Sequence, residues 1–190
     1  MAQVSTPHPG LLRRGAAGLI VVDVQENFRP VIHDFDGMVR NCRILIEGFA
    51  LLGAPILVSE QYPKGLGPTV AELTEVLPEG TPVVEKLRFS AVGVPEFDAA
   101  MAATGLSTWV VCGIEAHVCV NQTVHDLLAS GNAVHLASDA VSSRSPANRR
   151  TGVAKCWAAG AVATSAEMAL FEMLEQAGSD EFKAISRLVR

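Results

Sequence analysis

Three side chains in this sequence have the types and positions to do covalent chemistry together. Asp23 closes the apolar run LIVV, Lys86 ends VVEK, and Cys119 follows the run TWVVC through a short connection that opens at Gly113. Each run reads as a strand, and in an open parallel sheet ligands collect beyond the carboxyl ends of the strands. A carboxylate, an ammonium and a thiol would then face one edge. A thiol at a helix N-terminus feels aligned peptide dipoles and unpaired amides, which favour thiolate, and a nearby cation favours it further. With Asp23 between Lys86 and the sulfur, the carboxylate could take the thiol proton as general base and later return it to a leaving group. Each residue also has a plain structural reading. Asp23 could cap the backbone N–H of Gln25 or Glu26, Lys86 could be a solvated surface charge, and Cys119 a buried inert thiol. Cys112 at a strand end, Cys42 on the buried face of a helix and Cys156 fit the inert reading well.

The elements that must position these groups alternate along the chain. Strand-like runs fall at Gly18–Val24, Pro55–Ser59, Pro82–Lys86, Ser107–Cys112, Ala133–Ala137 and Ala161–Thr164. Between them lie helical patterns at Met38–Leu52, Pro95–Ala103, Cys119–Ser130, Pro146–Ala159 and Ala166–Gln176. The runs LIVVDV, PILVSE and TWVVC are apolar almost throughout rather than alternating, as parallel strands covered on both faces are. The expectation is a three-layer α/β/α domain of Rossmann-like type, with six parallel strands in the order 3-2-1-4-5-6. Residues 1–14 read as an N-terminal extension and 15–190 as the domain. Gln61–Pro68, with two prolines and two glycines, is a long connection that could wall a pocket. Phe182, Ile185, Leu188 and Val189 predict a short C-terminal helix that packs on the domain or on a second subunit. One geometric difficulty stands out: in that strand order Lys86 starts two strands, roughly 10 Å, from the first strand.

Composition removes several function classes. The chain has 190 residues, 49% of them hydrophobic, enough to bury a substantial core. A net charge of -5 leaves no basic surplus for a phosphate backbone, so nucleic acid is not an expected partner. Mean hydropathy is +0.29, yet charges or turn residues interrupt every apolar run short of the roughly 20 residues that a membrane span needs. Met1–Gly10 shows no basic-then-apolar ramp, which argues against a secretory signal. The four cysteines have no paired metal spacing, and a chain of this size needs no disulfide staples, so a reduced, cytoplasmic setting is expected. His8, His33, His117, His125 and His135 form no close ligand pair, and no metal or other cofactor is expected.

The segments LIVVDVQENF, VVEKLRFSA and CGIEAHVCVNQTVHDLL, in that order, resemble the isochorismatase-like cysteine hydrolases. SEQYPKGLGPT, DAVSSRSP and TSAEMALFEML resemble most the subgroup of isochorismatase domain-containing proteins and YcaC-like hydrolases. The resemblance covers essentially the whole chain. It implies Cys119 as nucleophile, Asp23 as base and then acid, and Lys86 as the thiolate-stabilising cation. It also implies a cis peptide at Ile114–Glu115 and an oxyanion hole built from the amides of Glu115 and Cys119. Cleavage of a small-molecule amide C–N bond through a thioester would follow, and the subgroup often assembles as dimers or larger homo-oligomers. Ser59, Glu60, Gln61 and Tyr62 stand where nicotinamidases carry a metal-binding cluster, a departure that again predicts no metal. Near the motifs, Gln25, Phe28, Phe89 and His117 are candidates to contact substrate, and Arg88 is either a solvated charge or an anion clamp. The competing readings are vinyl-ether hydrolysis of the isochorismate type, an interaction protein with the same fold and no turnover, and a redox protein with Cys112 as resolving cysteine.

Overall fold

A computed structural model describes residues 10–190. Six strands form one parallel sheet, β1 (Gly18–Val22), β2 (Ile56–Gln61), β3 (Val83–Lys86), β4 (Thr108–Gly113), β5 (Ala133–Val141) and β6 (Val162–Thr164), in the order β3-β2-β1-β4-β5-β6. The expected three-layer architecture and strand order are observed. β1, most of β2 and most of β4 are buried on both faces, which explains their unbroken apolar runs.

Among the described residues, seven α-helices cover the two faces. On one lie α1 (Phe35–Leu51), α3 (Ala71–Thr74), α7 (Ala166–Leu174) and α8 (Asp180–Leu188), packed over a core that includes Leu45, Phe49, Val110 and Leu170. On the other lie α4 (Pro95–Thr104), α5 (Cys119–Ala129) and α6 (Pro146–Ala158), with Phe97, Trp109, Val120 and Leu127. The short α2 (Pro63–Leu66) forms inside the long connection after β2, where Pro63 occupies the first helical turn. α8 packs on its own domain: Ile185 is buried, and Phe182 meets the Phe171 ring edge-on at 6.0 Å. Phe182 and Ile185 are thus spent inside the fold.

Several boundaries differ from the sequence reading, for physical reasons. β1 stops at Val22 because Asp23 takes a left-handed conformation, φ 54°, which Asp tolerates better than most residues. β2 runs on to Gln61, whose backbone pairs with Lys86. β5 continues to Val141, past a register irregularity on β4 between Val111 and Gly113. The packed body also begins before residue 15. Leu12 is buried in the α1-side core, and its N–H donates to Glu172. Arg14 pairs with Glu181 of α8. Residues 1–9, including His8, lie outside the described residues.

Candidate active site

Strand order decides where a site can form. β1 is followed by strands running outward to β3, and β4 starts the other half, so the order reverses between β1 and β4. Loops diverge at such a switch point and leave a crevice at the carboxyl edge. Asp23 leaves β1 and Cys119 opens α5 after β4, on either side of that crevice. The left-handed turn at Asp23 ends the strand's alternation while its N–H still donates to Ser59 O of β2 at 3.0 Å.

Lys86 reaches this crevice from two strands away. Its Nζ lies 2.7 Å from Asp23 Oδ2, with both side chains 1% exposed. The aliphatic stem crosses β2, and Gln61 Oε1 accepts from the same ammonium at 2.8 Å. The chain beyond Lys86 then curls so that the carbonyls of Phe89 and Arg88 accept at 2.9 and 3.1 Å. Three ammonium protons thus face four acceptors, and the charge is fixed in place. The other Asp23 oxygen, Oδ1, accepts from Ser59 Oγ at 2.7 Å. Asp23 is therefore held by Lys86 and Ser59 rather than by the amides of Gln25 or Glu26.

Cys119 is the first residue of α5, and its thiol interacts with both the Asp23 carboxylate and the Lys86 ammonium. Burial pushes the thiol up to about 12, the neighbouring Asp23 charge adds to this, and Lys86 opposes it. The sequence expectation of a helix-favoured thiolate needs correction here. With Cys119 only 6% exposed, desolvation outweighs the stabilising charge and the resting sulfur keeps its proton. Burial also raises Asp23 above the ordinary carboxylate range, against the pull of Lys86, Ser59 and Cys119. Such a carboxylate is a stronger base than a solvated one, which suits a proton acceptor.

The Ile114–Glu115 peptide is cis. In the segment it opens, Ile114, Ala116, Val118 and Val120 donate their N–H groups to backbone carbonyls. The amides of Glu115 and Cys119 have no acceptor among the described residues. Gly113, at φ 109°, lets this segment press onto β1: a Cβ there would collide with the Val22 backbone.

The remaining candidates separate into two groups. Gln25 is a correction: it is fully buried, its amide nitrogen donates to Gln61 O and Gly67 O, and its oxygen accepts from Gln61 N. All of its principal bonds go to the 61–67 connection, leaving it a loop fastener rather than a substrate contact. Phe28 is half-buried, with one side packed against the α1-side core. His117, half-buried, bonds through Nδ1 to Ser143 Oγ at 3.0 Å and approaches Asn148 Nδ2 at 3.3 Å through Nε2. Phe89 is 52% exposed and Arg88 is exposed over Gly93. Glu60, in the stretch where nicotinamidases place metal ligands, accepts from Thr69 N and Oγ1 and staples the loop instead. Among the described residues no three His, Cys, Asp or Glu side chains gather as a metal site. Ser59 and Gln61, which complete the polar network, were not singled out from sequence for this role. Ser59 lies in β2 beside the end of β1 and Gln61 ends β2, and that placement was the available signal.

Comparison with known proteins agrees with this architecture. Residues 17–168 match the family model described as the isochorismatase domain. The chain belongs to the isochorismatase family. Isochorismatase domain-containing protein 1 of Danio rerio is 38% identical over 169 residues, covering 88% of this chain and 59% of that protein. The chain thus spans about three fifths of that relative's length. The secreted isochorismatase effector Isc1 of Phytophthora sojae is 36% identical across 98% of this chain and 90% of its own. Among solved structures, the MAR1 ribonuclease of Caenorhabditis elegans superposes with a TM-score of 0.89 at 37% identity, covering 94% of this chain and 92% of that one. Among the described residues no helix is long and apolar enough to cross a membrane.

Proposed function

We propose that this isochorismatase-family chain is a cysteine hydrolase that cleaves a small-molecule amide C–N bond through a thioester. The observation that carries the reading is the gathering of three buried groups from distant stretches, with Asp23 paired to Lys86 at 2.7 Å and the Cys119 thiol an electrostatic neighbour of both. A protonated thiol beside a basic carboxylate sets the order of events. Asp23 takes the Sγ proton as the sulfur attacks the carbonyl carbon, and Lys86 stabilises the charge passed between them. The tetrahedral oxyanion is received by the free amides of Glu115 and Cys119, a donor pair of the kind whose single loss costs about 10²–10³ in rate. Asp23 then protonates the departing nitrogen as the C–N bond breaks, leaving a thioester. Water attacks that thioester, Asp23 takes its proton, and collapse releases the acid while Sγ regains the proton. Water supplies OH to the acid and H to the amine, so the overall reaction balances.

A panel of small neutral amides assayed for ammonia or amine release, with wild type and Cys119→Ser in parallel, tests this. Turnover by wild type and none by the serine variant is expected; equal turnover by both overturns the covalent mechanism. Release of pyruvate from isochorismate without amine release from any amide would favour vinyl-ether chemistry. The ribonuclease among the similar structures makes RNA a necessary arm of the panel. No cleavage is expected, because the chain carries a net charge of -5 and the ammonium nearest the sulfur is occupied by four acceptors. A reducing cytoplasmic setting belongs to the same proposal and is supported by four cysteines that are all free thiols.

A further inference from the structure

An oxyanion hole asks two amides to stand about 3 Å from one point, yet Glu115 lies on the connecting segment between β4 and α5 and Cys119 at its far end, where α5 begins. Something must hold that segment. Ile114 N–H donates to Val22 O and Ala116 N–H to Ser142 O, each at 2.8 Å. The buried Glu115 carboxylate accepts from the N–H of Arg144 at 2.9 Å and from its Nε at 3.1 Å. Gly152 supplies a different kind of contact. It lies inside α6, where glycine costs roughly 1 kcal/mol against alanine, so the helix by itself would favour another residue. A Cβ at this position would stand 2.5 Å from Ala116 O, 2.6 Å from the Ala116 carbonyl carbon and 2.8 Å from His117 Cα. All three are backbone atoms and cannot swing aside as a side-chain tip can. The helix therefore rests directly on the peptide that joins the two amide-bearing residues.

We infer that Gly152 and Arg144 are positioning residues for this site, the stretch from Ser142 to Gly152 forming a cradle that sets the Glu115 and Cys119 amides. The inference rests on the hydrolase reading above and adds what keeps its oxyanion hole in register. Neither residue touches the sulfur, Asp23 or Lys86. Disturbing the cradle should therefore separate two reactions of Cys119. Acylation by p-nitrophenyl acetate forms the Sγ–C bond at a carbonyl, passes the thiol proton to Asp23, expels p-nitrophenolate and needs the hole. Alkylation by iodoacetamide forms the Sγ–C bond at a saturated carbon, expels iodide, and needs only the sulfur and its base.

Gly152→Ala is expected to slow acylation about 10²-fold, as a misplacement near 1 Å does, while alkylation stays within about twofold of wild type. Arg144→Gln, at a side chain 61% exposed, should slow acylation about tenfold with the same unchanged alkylation. Gly48→Ala serves as control, since the nearest atoms its Cβ would meet belong to the Leu170 side chain, on the other face of the sheet, and both rates should hold. The two rates falling together in Gly152→Ala, or neither falling, overturns the inference. If that variant does not fold, judged by circular dichroism, Arg144→Gln decides alone, and unchanged acylation overturns it. Wild type that is alkylated but never acylated at Cys119 would remove the oxyanion hole itself, and with it both readings. Wild type acylated as readily as the variants removes only the cradle.

Discussion

Cys112 and Cys119 are seven residues apart and both buried, yet they lie on opposite faces of the sheet among different neighbours: Cys112 is raised first by its hydrogen bond with Cys42 and then by burial, Cys119 first by burial. Cys112 looks toward α1, where the group it meets is another thiol, Cys42, itself bonded to Ala140 O at 3.3 Å. Cys119 looks into the crevice between β1 and β4, where it meets a carboxylate and an ammonium. Burial alone does not distinguish an inert thiol from a reactive one. On the hydrolase reading, the acceptor for its proton does. The same geometry removes the redox reading in which Cys112 resolves Cys119, because β4 stands between them.

The largest test of this contrast replaces one sulfur at a time. Cys119→Ser should lower amide turnover on the order of 10³-fold or more, as loss of a covalent nucleophile does. Cys112→Ala should leave turnover within about twofold and instead cost about 1 kcal/mol in urea unfolding, a typical core truncation. Comparable loss of turnover in both variants would erase the distinction between the faces.

A second test asks how much the charged pair contributes on the reactive face. Lys86→Met leaves the Asp23 carboxylate buried without its counter-charge, a change that costs about 3–5 kcal/mol in comparable pairs. Adding Asp23→Asn should restore much of that stability, since the two effects share one interaction. Urea unfolding of the three variants measures it, and strict additivity would mean that the pair is not the source of the loss.

How much of this was legible beforehand follows from what each residue depends on. The doubly covered parallel strands could be read from their unbroken apolar runs, and the shared edge of Asp23 and Lys86 from their places at the ends of such runs. Gln25 could not be read: it sits two residues from Asp23, as a substrate contact would, but its partners are 36 and 42 residues away on a loop whose path no local pattern encodes. Lys86 posed the reverse problem. Strand spacing placed it too far from β1, and only the length of its stem and the curl of residues 87–89 close the gap. The cradle under the oxyanion segment shows in the sequence only as a glycine inside a helix, where many causes leave the same mark.

A third test uses pH. Because burial raises Asp23, the base is lost by protonation at a pH above the usual carboxylate value near 3.9. Alkylation of Cys119 should therefore decline on the acid side with a midpoint above that value. Removing the Ser59 hydroxyl, which holds the carboxylate ionised through a 2.7 Å bond, should move the midpoint higher still in Ser59→Ala. The linked stability has the opposite sense from that of an ordinary ion-paired carboxylate. The contribution of a raised Asp is complete below the unfolded value and lost as pH climbs through the folded one. A midpoint at or below the solvated value would show the crevice to be more polar than its burial indicates.

The smallest effect belongs to the other face and supplies the contrast in reverse. His135 of β5 is buried, its Nδ1 has no hydrogen-bond partner among the described residues, and burial lowers its pKa from 6.5 although Glu172 partly offsets this. The folded chain therefore keeps this ring neutral while the unfolded chain protonates it first. Stability from this group is complete above about pH 6.5, the unfolded value, and falls as pH drops from there toward the folded one. Melting temperatures at pH 7.5 and 5.0 should differ less in His135→Phe than in wild type, with amide turnover at pH 7.5 unchanged. An equal difference in both proteins would assign the acid sensitivity elsewhere, the charged pair of the crevice being the next group to examine. On the hydrolase reading, a titrating group on one face does chemistry because a partner waits for its proton; on the other it only registers the cost of burial.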